Sequence, residues 1–211
     1  MIKVNAFNEN TDVRITNCRF ENIHALAAIR VNSYGTTIIQ DCVFKNMSFK
    51  SFEVFQSADN GTTQGGRTLV SDVYAEDVGL LPDTYDVDDV QKTFKENSST
   101  QTEAPQGSFN FICSFGEYNI TNASVKNYGS CGVTADRNLI FNASNITITN
   151  DSSRSFSNNP SGAFWLEDCE IANVTNLHID VSAGAGIDTT ALDNSLLQIY
   201  LTDNNKCFFN N

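Results

Sequence analysis

The chain has 211 residues, 40% of them hydrophobic, and a formal net charge of −12 at pH 7. An acidic chain offers no basic footprint to nucleic acid or to an anionic membrane. No apolar run reaches the roughly 18 residues that a membrane-spanning helix requires, so neither a nucleic-acid nor a membrane partner is expected.

The opening decapeptide MIKVNAFNEN lacks the charged-then-apolar profile of a secretory signal. Ile2 and Val4 read instead as the end of an earlier turn of a repeating structure. The first full repeat is VRITNCRFENI, Val13 to Ile23, anchored on Asn17. The same frame returns around Asp41, Asp72, Asn122, Asn145 and Asn176, and in degraded form around Asn205. These anchors lie 24, 31, 50, 23, 31 and 29 residues apart. Self-similarity at that period is the signature of a stacked solenoid.

Columns through the copies then acquire a physical meaning, because equivalent residues of stacked parallel strands sit about 4.8 Å apart. One place after the anchor stand Cys18, Cys42, Val73, Ala123, Ile146 and Leu177. Three places after it stand Phe20, Phe44, Ala75, Val125, Ile148, Ile179 and Phe208. Two apolar columns two residues apart predict strands with these side chains inside. Four places after the anchor the residues are Glu21, Lys45, Glu76 and Lys126, outward and alternating in sign, which would pair across neighbouring rungs. The Asn/Asp anchors, and a second such column at Asn22, Asn46, Asp77, Asn127, Asn150 and Asn210, read as structural corners. Asn and Asp tolerate left-handed backbone there and can bond along the stack.

Before most anchors lies a second apolar stretch: Ala28–Val31, Phe52–Phe55, Phe109–Ile112, Cys131–Thr134, Phe164–Leu166 and Gly186–Asp188. Each repeat therefore holds at least two strands. The long gap carries an insertion, residues 79–107, in which Val87, Val90 and Phe94 after Asp86 predict a short amphipathic helix near 87–96. Its aspartates lack the spacing of a calcium loop, and the six cysteines show no C-x-x-C pair, so no metal and no cofactor is expected. Cys18 and Cys42 share one column in adjacent repeats. They are a candidate disulfide by separation, with two reduced core thiols as the alternative.

The pattern I-x-V-x-x-x-x-x-T-x-I-x-x-C-x-F-x-N, from Ile29 to Asn46, resembles that of the right-handed parallel β-helices of the pectate-lyase-like superfamily. The resemblance implies an all-β fold, a right-handed parallel β-helix solenoid of about seven coils with one helical or loop insertion. Residues 1–211 would form a single domain, either a segment of a longer protein or a subunit completed by its neighbours. Enzymes of this architecture act on polysaccharides from an outer sheet face. The outward positions here, Arg30, Glu53, Asn110, Trp165 and Asp188, are the candidate carbohydrate-binding face. Specific enzyme motifs are missing. GSFNFICSFG (Gly107–Gly116) is similar to a pectin methylesterase stretch, but Asn110 stands where that family has its catalytic Asp. His24 and His178, the only histidines, read as surface residues.

Nine N-x-S/T sequons occur. Those at Asn60 and Asn97 fall in expected loops, and those at Asn119, Asn142 and Asn173 in one outward column; these five are the candidate glycosylation sites. The sequons at Asn46, Asn122, Asn145 and Asn150 coincide with the corner columns. The expectation is a non-enzymatic extracellular or cell-surface module, structural or adhesive, glycosylated, within a filament or fibre. Its partners would be other copies or neighbouring domains at uncapped ends, and carbohydrate. The alternative is a polysaccharide-processing lyase or hydrolase of tailspike type.

Overall fold

The computed structural model describes residues 1–6, 8–23, 27–47, 50–57, 65–79, 109–128, 131–150, 163–181 and 199–211. Among these residues every regular element is a β-strand. In chain order they are β1 (Ile2–Ala6), β2 (Asp12–Thr16), β3 (Arg19–Ile23), β4 (Ala27–Ser33), β5 (Thr36–Gln40), β6 (Val43–Met47), β7 (Lys50–Gln56) and β8 (Arg67–Val78). There follow β9 (Phe109–Ser114), β10 (Glu117–Tyr128), β11 (Cys131–Asp136), β12 (Ile140–Asn150), β13 (Phe164–Glu167), β14 (Ile171–Val181), β15 (Ile199–Thr202) and β16 (Lys206–Asn210). The expected helix near 87–96 and the strand at 186–188 lie outside the described residues.

All pairings are parallel, and they sort the strands into two sheets. A seven-stranded sheet runs β1-β4-β7-β9-β11-β13-β15; a second, nine-stranded sheet runs β16-β14-β12-β10-β8-β5-β2, with β3 and β6 beside it. The chain thus visits the two sheets alternately, laying each strand against its counterpart one repeat earlier. The result is an all-β, parallel, two-sheet arrangement compatible with a β-solenoid. Strand β8 pairs directly with β10, Thr121 opposite Ser71, so the insertion between them leaves the ladder in register.

Alternation of burial explains why these segments are strands. In β8, β10 and β12 buried and outward residues alternate on either side of the anchor. The inner columns hold together as expected. Phe20 and Phe44 stack with centroids 5.2 Å apart, Phe44 leans on Phe52 at 6.2 Å, and Phe52 stacks on Phe111 at 4.5 Å. Ring on ring along the axis adds to area burial a contact of about 0.5–1.5 kcal/mol per pair.

Six anchors, Asn17, Asp41, Asp72, Asn122, Asn145 and Asn176, have φ between 52° and 56°. The second column repeats this at Asn22, Asn46, Asp77 and Asn127, with φ of 49–54°. Left-handed residues at five-residue spacing bend the long strands without breaking the ladder. Asn150 departs from the column. Its φ is not positive, it is buried, and its Nδ2 donates to the Tyr128 carbonyl at 3.4 Å.

The last repeat is misaligned in the sequence reading. Thr175 pairs with Asn210, which brings Asn211 beside Asn176 and removes Asn205 from the anchor column. Asn205 lies in the turn before β16, where its N–H donates to the Cys169 carbonyl at 2.9 Å. Phe208 consequently pairs with Asn173 on the outer face and is 57% exposed; Phe209 takes the inner place opposite Val174. The turn from first to second sheet has its own left-handed column, Phe115, Arg137, Asp168 and Asp203, of which the alignment on Asn205 concealed the last. Earlier in the stack glycine serves that turn. A Cβ on Gly66, at φ 84°, would lie 2.8 Å from the Tyr34 carbonyl oxygen.

Candidate functional site

The outer face of the first sheet is where a ligand site would be sought. Register aligns Lys3, Arg30, Glu53, Ile112, Thr134, Trp165 and Tyr200 at one strand position through the sheet. Arg30 and Glu53 do come together: Arg30 Nε lies 2.8 Å from Glu53 Oε2, and Lys50 Nζ lies 2.7 Å from Glu53 Oε1. Glu53 is only 6% exposed. Both of its oxygens are taken by fixed cations, which suits a structural ion cluster rather than proton transfer. Arg30 also leans over the Phe55 ring, 6.0 Å from its centroid.

Neither Asn110 nor Trp165 is next to them in the register. Ile112, not Asn110, is in register with Glu53. Asn110 lies two residues earlier on β9 and so outside the column. Trp165 pairs with Thr134 and stands three rungs from Glu53, about 14 Å at the usual strand spacing. Asp188 falls outside the described residues, and β15 supplies the first-sheet strand of its repeat, with Tyr200 next to Trp165.

Two carboxylates that the sequence reading passed over are brought together instead. Asp136 ends β11, Glu167 ends β13, and the two are register partners. Arg137 grips Asp136 with Nε at 2.9 Å from Oδ1 and Nη2 at 2.7 Å from Oδ2, while its guanidinium lies 4.7 Å from the centre of the Phe115 ring. Burial pushes the Glu167 carboxyl above the usual carboxylate range, and the neighbouring charges of Asp136 and Asp168 push the same way. A hydrogen bond with Trp165 and the charge of Arg137 oppose them. The two carboxyls stand on neighbouring rungs about 4.8 Å apart, one gripped by an arginine and the other raised by burial, and such unequal pairs are what acid/base chemistry uses. The only signal in the sequence is that both strands, CGVTAD and FWLE, finish on an acid. Among the described residues no group of three or more His, Cys, Asp or Glu side chains is arranged to hold a metal. His178 is exposed on β14, in the outward slot expected of it.

On the second sheet the outward polar groups bond one another. Lys45 Nζ reaches Glu76 at 2.7 Å and Lys126 Nζ reaches it at 3.3 Å, which depresses the Glu76 carboxyl below its ordinary range through the Lys45 hydrogen bond above all. Asparagine amides bond rung to rung: Asn122 Nδ2 to Asp72, Asn145 to Asn122 and Asn176 to Asn145, each at 3.0 Å. Asn127 Nδ2 donates to Asp77 at 3.0 Å and Asn46 to Asn22 at 2.6 Å. The sequon column behaves likewise, with Asn142 Nδ2 donating to Asn119 at 2.9 Å and Asn173 Nδ2 to Asn142 at 2.8 Å. A glycan on Asn142 or Asn173 would be carried by the same nitrogen that donates to this ladder. Asn60 and Asn97 lie outside the described residues.

Cys18 and Cys42 are both free thiols, as are the other four cysteines. Cys18 Sγ donates to the Thr16 carbonyl at 3.3 Å, Cys42 Sγ to that of Gln40 at 3.2 Å. No protein-family model, no curated protein and no solved structure matches this chain.

Proposed function

We propose that the chain is a structural or adhesive module of the cell surface, a right-handed parallel β-helix of about seven coils in the manner of the pectate-lyase-like superfamily. Parallel strands joined by crossovers are right-handed in about 98% of cases, which supports the hand. Alternating strands in two parallel sheets support the coil. The function rests on one observation: rows of outward polar side chains bond one another. Asparagine amides bond along the stack, and the Lys45–Glu76–Lys126 row and the Arg30–Glu53 ion pair join neighbouring strands, with Lys50 closing on Glu53 within its own strand. Such groups stiffen a rod and fix its register. In this reading the module is extracellular, carries glycans at Asn60 and Asn97, and meets carbohydrate or neighbouring copies.

A second reading is favoured by the Asp136–Glu167 pair, with Trp165 and Tyr200 at successive positions of the adjoining column. There the face hydrolyses a glycosidic bond, Glu167 giving a proton to the leaving oxygen and Asp136 taking one from the water that attacks the anomeric carbon. One assay separates the two. The purified chain, incubated with a panel of acidic and neutral polysaccharides, is expected to release no reducing ends. Release that is abolished by Glu167→Gln would overturn the scaffold reading. Intact mass before and after enzymatic deglycosylation of chain secreted from eukaryotic cells is expected to fall by whole glycans, and peptide mapping is expected to find none of them on Asn142 or Asn173.

A further inference from the structure

Beside the paired carboxylates at the ends of β11 and β13 stands a third. Asp168 is exposed and follows Glu167 directly, in the left-handed corner column that also holds Arg137. Asp136, Glu167 and Asp168 thus share one guanidinium. Arg137 is already committed, gripping both oxygens of Asp136 and leaning on the Phe115 ring. Among the described residues it is the one cation that acts on Glu167, and its influence there is smaller than that of burial or of either aspartate. The corner is short of positive charge.

An aromatic surface adjoins it. Thr134 and Asp136 on β11 are register partners of Trp165 and Glu167 on β13. Val133, Ala135, Phe164 and Leu166, which alternate with them, are buried, so these four make one block on the outer face. Trp165, the only tryptophan of the chain, is partly exposed there and is bonded to Glu167. Thr134 is 6% exposed, and its hydroxyl has no hydrogen-bond partner. A covered hydroxyl left in that state costs free energy until another group completes it.

We infer that this block binds sugar polymers with free amino groups, chains of glucosamine units rather than neutral or acidic ones. The inference rests on the adhesive reading above and names the carbohydrate that reading leaves open. An ammonium group beside Glu167 and Asp168 makes charge-assisted hydrogen bonds and supplies the positive charge the corner lacks. The apolar face of the same sugar lies on the Trp165 indole, whose negative face also favours a cation. Its hydroxyls offer Thr134 the missing partner. N-acetylation removes the charge, and a carboxylate on the sugar would meet three others, so the same residues select against neutral and acidic polymers. The net charge of −12 draws polycations toward the whole chain, while the block decides where they settle. A lysine-rich peptide shares the charge but has no sugar ring to lay on the indole.

Calorimetric titration of the whole chain with the glucosamine hexamer tests this, against the N-acetylglucosamine hexamer, the galacturonic acid hexamer and hexalysine. The glucosamine hexamer is expected to bind about tenfold more tightly than any of the three. Asp168→Asn keeps the corner, because asparagine tolerates φ 51°, and is expected to weaken that binding about threefold. Trp165→Ala, shown by circular dichroism to fold, is expected to weaken it about tenfold. Asp180→Asn, which removes an exposed carboxylate from β14 on the other sheet, is expected to leave it unchanged. Hexalysine binding as tightly as the glucosamine hexamer would give the block to a cationic peptide and overturn the inference. So would equal losses in Asp168→Asn and Asp180→Asn, which would leave only the attraction of overall charge, or a glucosamine hexamer that does not bind. None of those results touches the scaffold reading, which the sugar-release assay decides.

Discussion

Asn122 has φ 54° in the middle of a twelve-residue strand, donates one amide bond to Asp72 and accepts another from Asn145. A residue with a Cβ pays roughly 1–2 kcal/mol in the left-handed region, from which asparagine is partly excused by its short polar side chain. Asn122→Ala is therefore expected to lower stability by about 2 kcal/mol in urea unfolding, and Asn122→Gly to recover about 1 kcal/mol of that, since glycine adopts this φ freely. Equal losses for both variants would show that the ladder bonds, not the backbone, set the residue. Tyr118 offers a second test. Its buried hydroxyl lies 2.7 Å from the Val54 carbonyl oxygen and 2.8 Å from that of Ser114, and burial holds its phenol well above the ordinary value of 10. Tyr118→Phe should cost about 1–2 kcal/mol at pH 7. The unfolded phenol ionises near pH 10 and the folded one does not, so stability should fall as pH rises past 10, less steeply in the variant. The anchors were legible because only Asn and Asp recur at those places. Tyr118 was not, because an inward tyrosine looks like any other aromatic until its carbonyl partners are located.

The Lys45–Glu76–Lys126 row spans β6, β8 and β10, and its members face one another because strand pairing places them there. Glu76→Gln should lower stability by about 1 kcal/mol at low ionic strength, and by less in 1 M salt, where these half-exposed charges are screened. With the Glu76 carboxyl depressed in the fold, the contribution is present above its ordinary value of 4.5 and lost as pH falls through the folded value. Glu167 runs the other way. Its carboxyl is raised, so the folded state favours the protonated form, and stability is lost as pH rises through the folded value. Glu167→Gln should accordingly raise the midpoint of thermal unfolding at pH 7, with the gain disappearing near pH 4. The alternating charge of the row could be read directly from the repeat. Asp136 and Glu167 could not. Their meeting depends on the left-handed turn at Arg137 and Asp168, whose register comes from the three-dimensional pairing of β11 with β13.

Across the molecule, six thiols are distributed through the stack without a bridge between any two. Burial raises those of Cys131 to about 12 and Cys169 to about 11, and raises Cys113 further, so none of these ionises near neutral pH. An aromatic disulfide reagent at pH 8 should label Cys18 and Cys207, which are partly exposed, and spare Cys42, Cys113, Cys131 and Cys169 until the chain is unfolded. Failure of Cys18 to react in the native state and under denaturant alike would restore its bridge to Cys42. The two-sheet parallel plan was legible from the repeat, because a period of two within strands and of 23–31 residues between most anchors leaves few other ways to bury the apolar columns. The final repeat was not, since a run of asparagines (Asn204, Asn205, Asn210 and Asn211) supports two alignments and only strand pairing decides between them. The asparagine ladder has a direction. Asp72 and Asp77 are carboxylates and can only accept, so Asn122 and Asn127 must point their amino groups back toward them, and Asn145 and Asn176 follow suit. Successive amide dipoles therefore add like magnets in a row, reinforcing one another as each bond polarises the next. The row of bonds thus runs one way, each amide on β14, β12 and β10 reaching back toward β8, and it stops where the Asp72 carboxylate has no hydrogen to pass on.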